Sequence, residues 1–360
     1  MINQRKSRLM AVDAWYLENL VCPRDHGRLV AEQDGLCCLV CRGTYPVVAG
    51  IPVMLRDDVE QTIGVAQASI RCAHGQRTDM RAPDLYLETL GVNDEEKTLA
   101  ASLSGTSAID PVVSVLIGAT SGNMYRRLIG SLDRYPIPAL RLEPGSGKRF
   151  LDIGCNWGRW SIAATRLGYQ AVGIDPSLGA ILAARRVSTG LGIDIKYVVA
   201  DGRYLPFGGG CFDVVFSYSV LQHFSKNDVA ICLREVSRLL KIKGYCFIQL
   251  ANVFGIRSFY HQLKRGFQEP KGFDVRYWSP RCIQRTCNAL IGKTTLAVDG
   301  YFGLGIQESD WALMPGYYKA VIALSETLRR ISTVFVPLVY GADSLYAKAI
   351  KIGDGDERLP

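Results

Sequence analysis

No uninterrupted apolar stretch in this chain approaches the ~20 residues needed to cross a bilayer as a helix; the best candidate, residues 331–340, is short and broken by Pro337. No secretory signal is expected either, because residues 1–10 are polar and basic and lack an apolar central region. No repeat or low-complexity tract occurs, which excludes solenoid and fibrous classes. A disulfide framework is also disfavoured. The eleven Cys are an odd number, and Cys211, Cys232 and Cys246, among others, sit singly inside apolar runs where a buried thiol is the ordinary state. A reducing, cytoplasmic setting is expected. The formal charge of +8 suits an anionic partner, yet the Lys and Arg residues are scattered and form no concentrated basic stripe.

What is present is a globular composition, 48% hydrophobic and 21% charged, over 360 residues, enough for one large domain or a large and a small one. Pattern divides the chain into four parts. Residues 15–56 hold four of the Cys among turn residues. Residues 57–148 have mostly helical periodicity and end in a Pro/Gly linker at Pro136, Pro138, Pro144 and Gly145. Residues 149–310 alternate strands with helices, and residues 311–360 read as a helical extension. Strands are expected at 149–153, 170–174, 195–200, 212–216 and 245–250, with helices at 159–167, 178–186 and 228–240. Such alternation implies right-handed crossovers and a Rossmann-like, doubly wound α/β sheet with ligands at the carboxyl ends of its strands. An aromatic-rich insertion, residues 251–293, follows the fifth strand and suits a lid over an acceptor.

Asp152-Ile153-Gly154-Cys155-Asn156-Trp157-Gly158 stands where the first strand turns into the first helix. Gly154 and Gly158 let a ligand approach the backbone, and Asn156 tolerates a left-handed conformation. Asp175 closes the second strand, where a carboxylate accepts both hydroxyls of a ribose. Asp201 closes the third and is placed to take the exocyclic amine of an adenine. Three carboxylates at three strand ends suit a nucleoside with a cationic tail and repel a diphosphate; Arg159, where a dinucleotide fingerprint wants its third Gly, agrees.

On these residues the segment 149–250 resembles the class I methyltransferases. Asp152, Gly154 and Gly158 match the first motif, Asp175 the ribose carboxylate, Asp201 the adenine contact, and Phe212-Asp213-Val214-Val215-Phe216-Ser217 the fourth strand. Leu239-Leu240-Lys241-Ile242-Lys243-Gly244-Tyr245 looks like the usual approach to the fifth. Two residues depart from the family pattern: Asn156 replaces the middle glycine and Ile242 a proline. The resemblance implies S-adenosylmethionine as cofactor, lined by Asp152, Gly154, Asn156, Gly158, Asp175, Asp201, Gly202 and Ser217. In-line methyl transfer needs alignment and a dry cavity more than a catalytic side chain. For an oxygen or nitrogen acceptor His223, after the fourth strand, is the candidate general base, and a loop-bracing histidine is the alternative.

Residues 17–55 resemble the small zinc-ribbon activators of methyltransferases through Cys22-Pro23-Arg24-Asp25, Cys38-Leu39-Val40-Cys41 and the stretch from Tyr45 through Leu55. The second knuckle, Cys38 and Cys41, is complete. In the first, Asp25 stands at the second cysteine position with His26 beside it, so Cys22, Cys38, Cys41 and either Asp25 or His26 would hold one structural zinc. The alternative is a metal-free module held by its apolar residues. Cys37, adjacent to Cys38 in an extended strand, should face away.

Three functions compete. The first is methyl transfer to a small-molecule, glycan or lipid-linked acceptor. The second is methylation of ribosomal or transfer RNA, with Arg126, Arg127, Lys264 and Arg265 as phosphate contacts. The third is a scaffold that keeps the fold without turnover, against which Asp152, Asp175 and Asp201 speak. Residues 317–352 suit a helix packed on the sheet or one in peripheral contact with a membrane.

Overall fold

A computed structural model describes residues 12–353 apart from 34, 121, 122, 304 and 306. The polar segment 1–10 and the last residues of the expected extension, 354–360, lie outside the described residues. The amino-terminal part contains α1 (Ala14–Asn19) and a four-stranded antiparallel sheet of β1 (Leu29–Glu32), β2 (Gly35–Cys38), β3 (Thr44–Val48) and β4 (Ile51–Pro52). Helices α2 (Gly64–Ala73), α3 (Asp94–Ser102) and α4 (Pro111–Thr120) follow.

The core then alternates as its periodicity predicts: β5 (Arg149–Ile153), α5 (Arg159–Arg166), β6 (Gln170–Asp175), α6 (Leu178–Gly190), β7 (Lys196–Val199), β8 (Phe212–Tyr218), α7 (Lys226–Leu239) and β9 (Leu240–Ala251). Near-continuous apolar runs such as Val214-Val215-Phe216, all buried, mark strands covered on both faces. Next come α8 (Ile256–Lys264), α9 (Pro280–Leu290), β10 (Thr294–Gly300), α10 (Gly316–Ser332), α11 (Leu338–Gly341) and β11 (Ser344–Ile350).

The core sheet has seven strands in the order β10-β11-β9-β8-β5-β6-β7. The order reverses direction at β5, flanked by β6 on one side and β8 on the other, which is the switch point where ligands settle in such sheets. Three strands of this sheet go beyond the sequence reading, the first being β10, which lies outside the five strands expected. Residues 344–350, assigned to a helical extension, form β11, inserted antiparallel between β9 and β10. Ala347 and Ala349 have helix propensity, but Leu345, Ala347 and Ala349 are fully buried in period two, and tertiary packing overrides propensity here. Strand β9 also begins at Leu240, five residues before the stretch expected.

Both accessory parts are tied into the core by hydrogen bonds. Tyr16 Oη donates to the Tyr197 carbonyl at 2.9 Å, and the Met54 amide to Val199 at 2.7 Å, so the ribbon covers the free edge of β7. The middle segment caps α6. The Leu178 amide donates to Ser69 Oγ at 3.0 Å, the Gly179 amide to Thr89 Oγ1 at 2.8 Å, and the Ala180 amide to Ser177 Oγ at 3.2 Å. These hydroxyls satisfy amides that a helix start leaves without partners. A Cβ at Gly179 would stand 2.8 Å from the carbonyl oxygens of Leu85 and Tyr86. Gly179→Ala should therefore cost about 1–3 kcal/mol by overpacking, read as a lower thermal midpoint; an unchanged midpoint would mean that the middle segment does not seat on α6.

Candidate functional site

The loop between β5 and α5 is held by its own backbone. The amides of Gly154 and Cys155 both donate to the Ile174 carbonyl, at 2.8 and 2.9 Å, tucking the loop against the end of β6. Gly154, Asn156 and Gly158 all have positive φ, of 74°, 50° and 81°. Asn156 takes the left-handed conformation without a glycine, and its Oδ1 accepts the Trp157 amide at 2.8 Å. The two glycines answer to packing as much as to any ligand: a Cβ on Gly154 would lie 2.2 Å from Val220 Cγ2, and one on Gly158 2.5 Å from Tyr197 Oη.

Asp175, half-buried at the end of β6, accepts the Asn156 amide at 3.0 Å on one oxygen and the Ser177 amide at 2.9 Å on the other. Each oxygen keeps a further lone pair for a diol. Burial pushes its carboxyl up to about 6 against the pull of those two amides. Asp152 is buried, accepts Ser161 Oγ at 2.7 Å, and is pushed up to about 7, chiefly by burial. Asp201 is buried and already engaged. Arg203 reaches it with its amide at 2.9 Å and its guanidinium at 2.8 Å, and also reaches Asp228 at 2.9 Å. Gly202 is buried, its Cβ position 3.1 Å from Ile153 Cγ2. Ser217 is fully buried and donates to the Ile153 carbonyl at 3.1 Å, bracing β5 against β8.

Sequence reasoning missed a polar group at the carboxyl ends of β8 and β10. Tyr218 Oη donates to Asp299 Oδ2 at 3.0 Å, Ser344 Oγ donates to the same oxygen at 2.8 Å, and Arg141 pairs with Glu326 beside them. Trp160 lies against the Tyr218 ring at 4.7 Å. Arg159, at the first turn of α5, lies over Tyr125 and Trp160, 3.9 Å from the Asp310 carboxylate. Arg159 Nε and Tyr125 Oη are buried without hydrogen-bond partners among the described residues. The signal was Arg159 itself, an arginine directly after a glycine-rich turn.

His223 sits in a short turn after β8. Its Nδ1 is 2.7 Å from the Phe273 carbonyl, and its ring stacks flat on Phe273 at 3.9 Å. The carbonyl accepts only from a protonated Nδ1, leaving Nε2 as the lone-pair nitrogen. Burial holds its pKa below the usual value. His261 lies on exposed α8, within 3.4 Å of Arg257 Nε.

In the ribbon, one ligand atom each from Cys22, Asp25, Cys38 and Cys41 lie within 4.8 Å of one another. Cys22 Sγ and Cys41 Sγ are 3.6 Å apart, and Cys38 Sγ is 3.3 Å from Asp25 Oδ1. Tetrahedral zinc with Zn–S near 2.3 Å puts thiolates ~3.8 Å apart, so the set fits. Amides of Arg24, Val40 and Gly43 donate to the sulfurs of Cys22, Cys38 and Cys41 at 3.3–3.4 Å, which fixes where the three sulfurs point. His26, with φ of 57°, turns out of the cluster to 3.9 Å from Glu235. Cys37 is buried away from the cluster, its Sγ near the Cys38 carbonyl.

Residues 151–248 match the family model described as a methyltransferase domain. The ubiquinone biosynthesis O-methyltransferase of Azorhizobium caulinodans is 32% identical over 114 residues, which is 32% of this chain and 44% of that protein. Its namesake from Caulobacter vibrioides is 34% identical over 123 residues, 34% of this chain and 48% of that protein. The chain thus spans under half the length of these curated relatives. Among solved structures, phosphoethanolamine N-methyltransferase 2 of Haemonchus contortus with S-adenosyl-L-methionine is 18% identical over 58% of this chain and 50% of that one, with a TM-score of 0.41. The segment 151–248 is thus similar to methyltransferase domains.

The ribbon geometry predicts one zinc per chain by elemental analysis of purified protein, retained in His26→Ala and lost in Cys38→Ser together with thermal stability. Metal-free wild type of undiminished stability would mean that the apolar residues alone hold the ribbon.

Proposed function

From a methyltransferase domain at residues 151–248, we propose that the chain transfers a methyl group from S-adenosylmethionine to oxygen on a small-molecule, lipid-linked acceptor in the cytoplasm. The carrying observation is Asp175, half-exposed and pinned by the Asn156 and Ser177 amides at the switch point of the sheet. The bound cofactor supplies a methyl carbon already activated by a sulfonium.

The chain's residues do the rest. Asp175 receives the ribose hydroxyls. Arg159 Nε and Tyr125 Oη, buried and unpartnered, meet the methionyl carboxylate, and Asp152 balances the methionyl ammonium. Asp201 stays with Arg203 and shapes the adenine end together with Gly202. Trp160 and Tyr218 wall the methyl-donor end and exclude water. His223 Nε2 takes the acceptor proton as general base, its ring set by Phe273. The name of the curated relatives supports oxygen as the nucleophile. The eleven cysteines, all free, support a reducing compartment, and among the described residues no helix is long and apolar enough to cross a membrane. RNA is less favoured, because the Lys and Arg residues are scattered along the chain without a concentrated basic stripe, and Arg127 is held by Tyr317.

Calorimetry of S-adenosylmethionine binding tests the reading. Asp175→Ala should weaken affinity at least tenfold, about 1.4 kcal/mol, whereas His223→Ala should leave affinity near wild type and lower turnover. Equal affinities for wild type and Asp175→Ala would misplace the site.

Proton linkage gives a second check. With Asp175 near 6 and Asp152 near 7 in the free protein, a cationic nucleoside selects the ionised carboxylates and competes with protons. Affinity should be flat above pH 7.5 and fall below 7, approaching about tenfold per pH unit for each proton displaced. Near pH 6.5, binding should release protons, read as a heat that varies with buffer ionisation enthalpy; a pH-independent affinity between 5.5 and 8 would contradict this.

A further inference from the structure

Helix α8 is inverted. Its buried residues are polar, Ser258 and Gln262, while Ile256, Phe259, Tyr260 and Leu263 form an i, i+3, i+4, i+7 stripe that faces solvent, Leu263 at 57% exposure. The inversion is fixed from within. Asp343, itself buried, accepts the Ser258 amide at 2.8 Å and the Gly303 amide at 3.1 Å, and Gln262 Nε2 donates to the Val253 carbonyl at 3.0 Å. The helix is held with its apolar side out.

A second apolar tip adjoins it. Val334, Phe335 and Val336 follow α10, Val334 at 85% exposure. Asn252, just ahead of α8, donates from Nδ2 to the Tyr340 and Ala342 carbonyls at 2.9 and 2.7 Å, which joins the two segments. Both lie at the end of the sheet where β9 finishes and β11 begins, the same end as the loop at Gly154. The charge on the helix itself has one sign: α8 carries the exposed Arg257 and Lys264 and no Asp or Glu, Arg265 follows it, and the next carboxylate along the chain is Glu269.

We propose that α8 and the 333–340 turn form a docking face for a membrane surface bearing anionic lipids. An apolar stripe with cations on its flank seats in the boundary between headgroups and acyl chains, the cations meeting phosphates. A protein partner would need acidic residues and a groove of matching shape; a bilayer supplies both chemistries without either. The face would bring the methyl-transfer end of the sheet to a lipid-linked acceptor, but docking itself needs neither cofactor nor acceptor. Failure of the methyltransferase reading therefore leaves it standing, and the reverse holds.

The test is flotation of the full chain with vesicles of phosphatidylcholine alone and of phosphatidylcholine with an equal share of phosphatidylglycerol. The chain should float with the mixed vesicles, float poorly with the neutral ones, and lose binding as salt rises. Phe259→Asp with Leu263→Asp should cut the floated fraction about tenfold, and Lys264→Glu should cut it on mixed vesicles only. The substituted side chains are exposed, so an unchanged thermal midpoint confirms that the variants are folded. Wild type that stays behind with both vesicles, or a double variant that floats like wild type, would overturn the proposal. So would a wild-type dimer split by these substitutions without any vesicle binding, since the face would then belong to a second copy of the chain.

Discussion

Asp175 accepting the amides of Asn156 and Ser177 is the contact on which the site depends. One carboxylate ties the glycine-bearing loop after β5 to the start of α6, across the point where the sheet changes direction. The loop cannot relax away from it, because Gly154 and Cys155 donate to Ile174 immediately upstream. The start of α6 is in turn fixed by hydroxyls of Ser69 and Thr89 from the middle segment. The helical segment before the core therefore helps to set the site, since it seats the helix whose first turn positions Asp175.

Much of this was legible in the sequence. Strands β5 to β8 are short and apolar, Gly154, Asp175 and Asp201 stand at or just past the ends of the first three, and the loop residues at positive φ are the ones whose chemistry permits it. What stayed hidden depended on distant partners. Nothing local says that Asp201 pairs with Arg203 and Asp228, or that Ser217 braces a neighbouring strand. The alanine-rich β11 reads as helix until the gap between β9 and β10 claims it. Asp25 stood at the second cysteine position with His26 as its alternative, and the backbone turn that carries His26 away from the cluster separates them. Tyr125, Asp299 and Asp310 come to the donor end from three separate parts of the chain, so no motif joins them.

The ribbon and the α8 face show two ways of handling exposed surface. The ribbon closes the free edge of β7 with backbone hydrogen bonds, and its thiol cluster fits a metal that would make that small sheet rigid. Helix α8 keeps an apolar stripe in solvent while burying its polar side, an arrangement costly for a helix without a partner.

Labelled-methyl transfer tests the central claim most directly: the chain is incubated with methyl-labelled S-adenosylmethionine and an extract separated into RNA, protein, polar metabolites and lipid. The account predicts label in the lipid fraction, abolished in Asp175→Ala. Label in RNA or protein, or equal incorporation by Asp175→Ala, would contradict it.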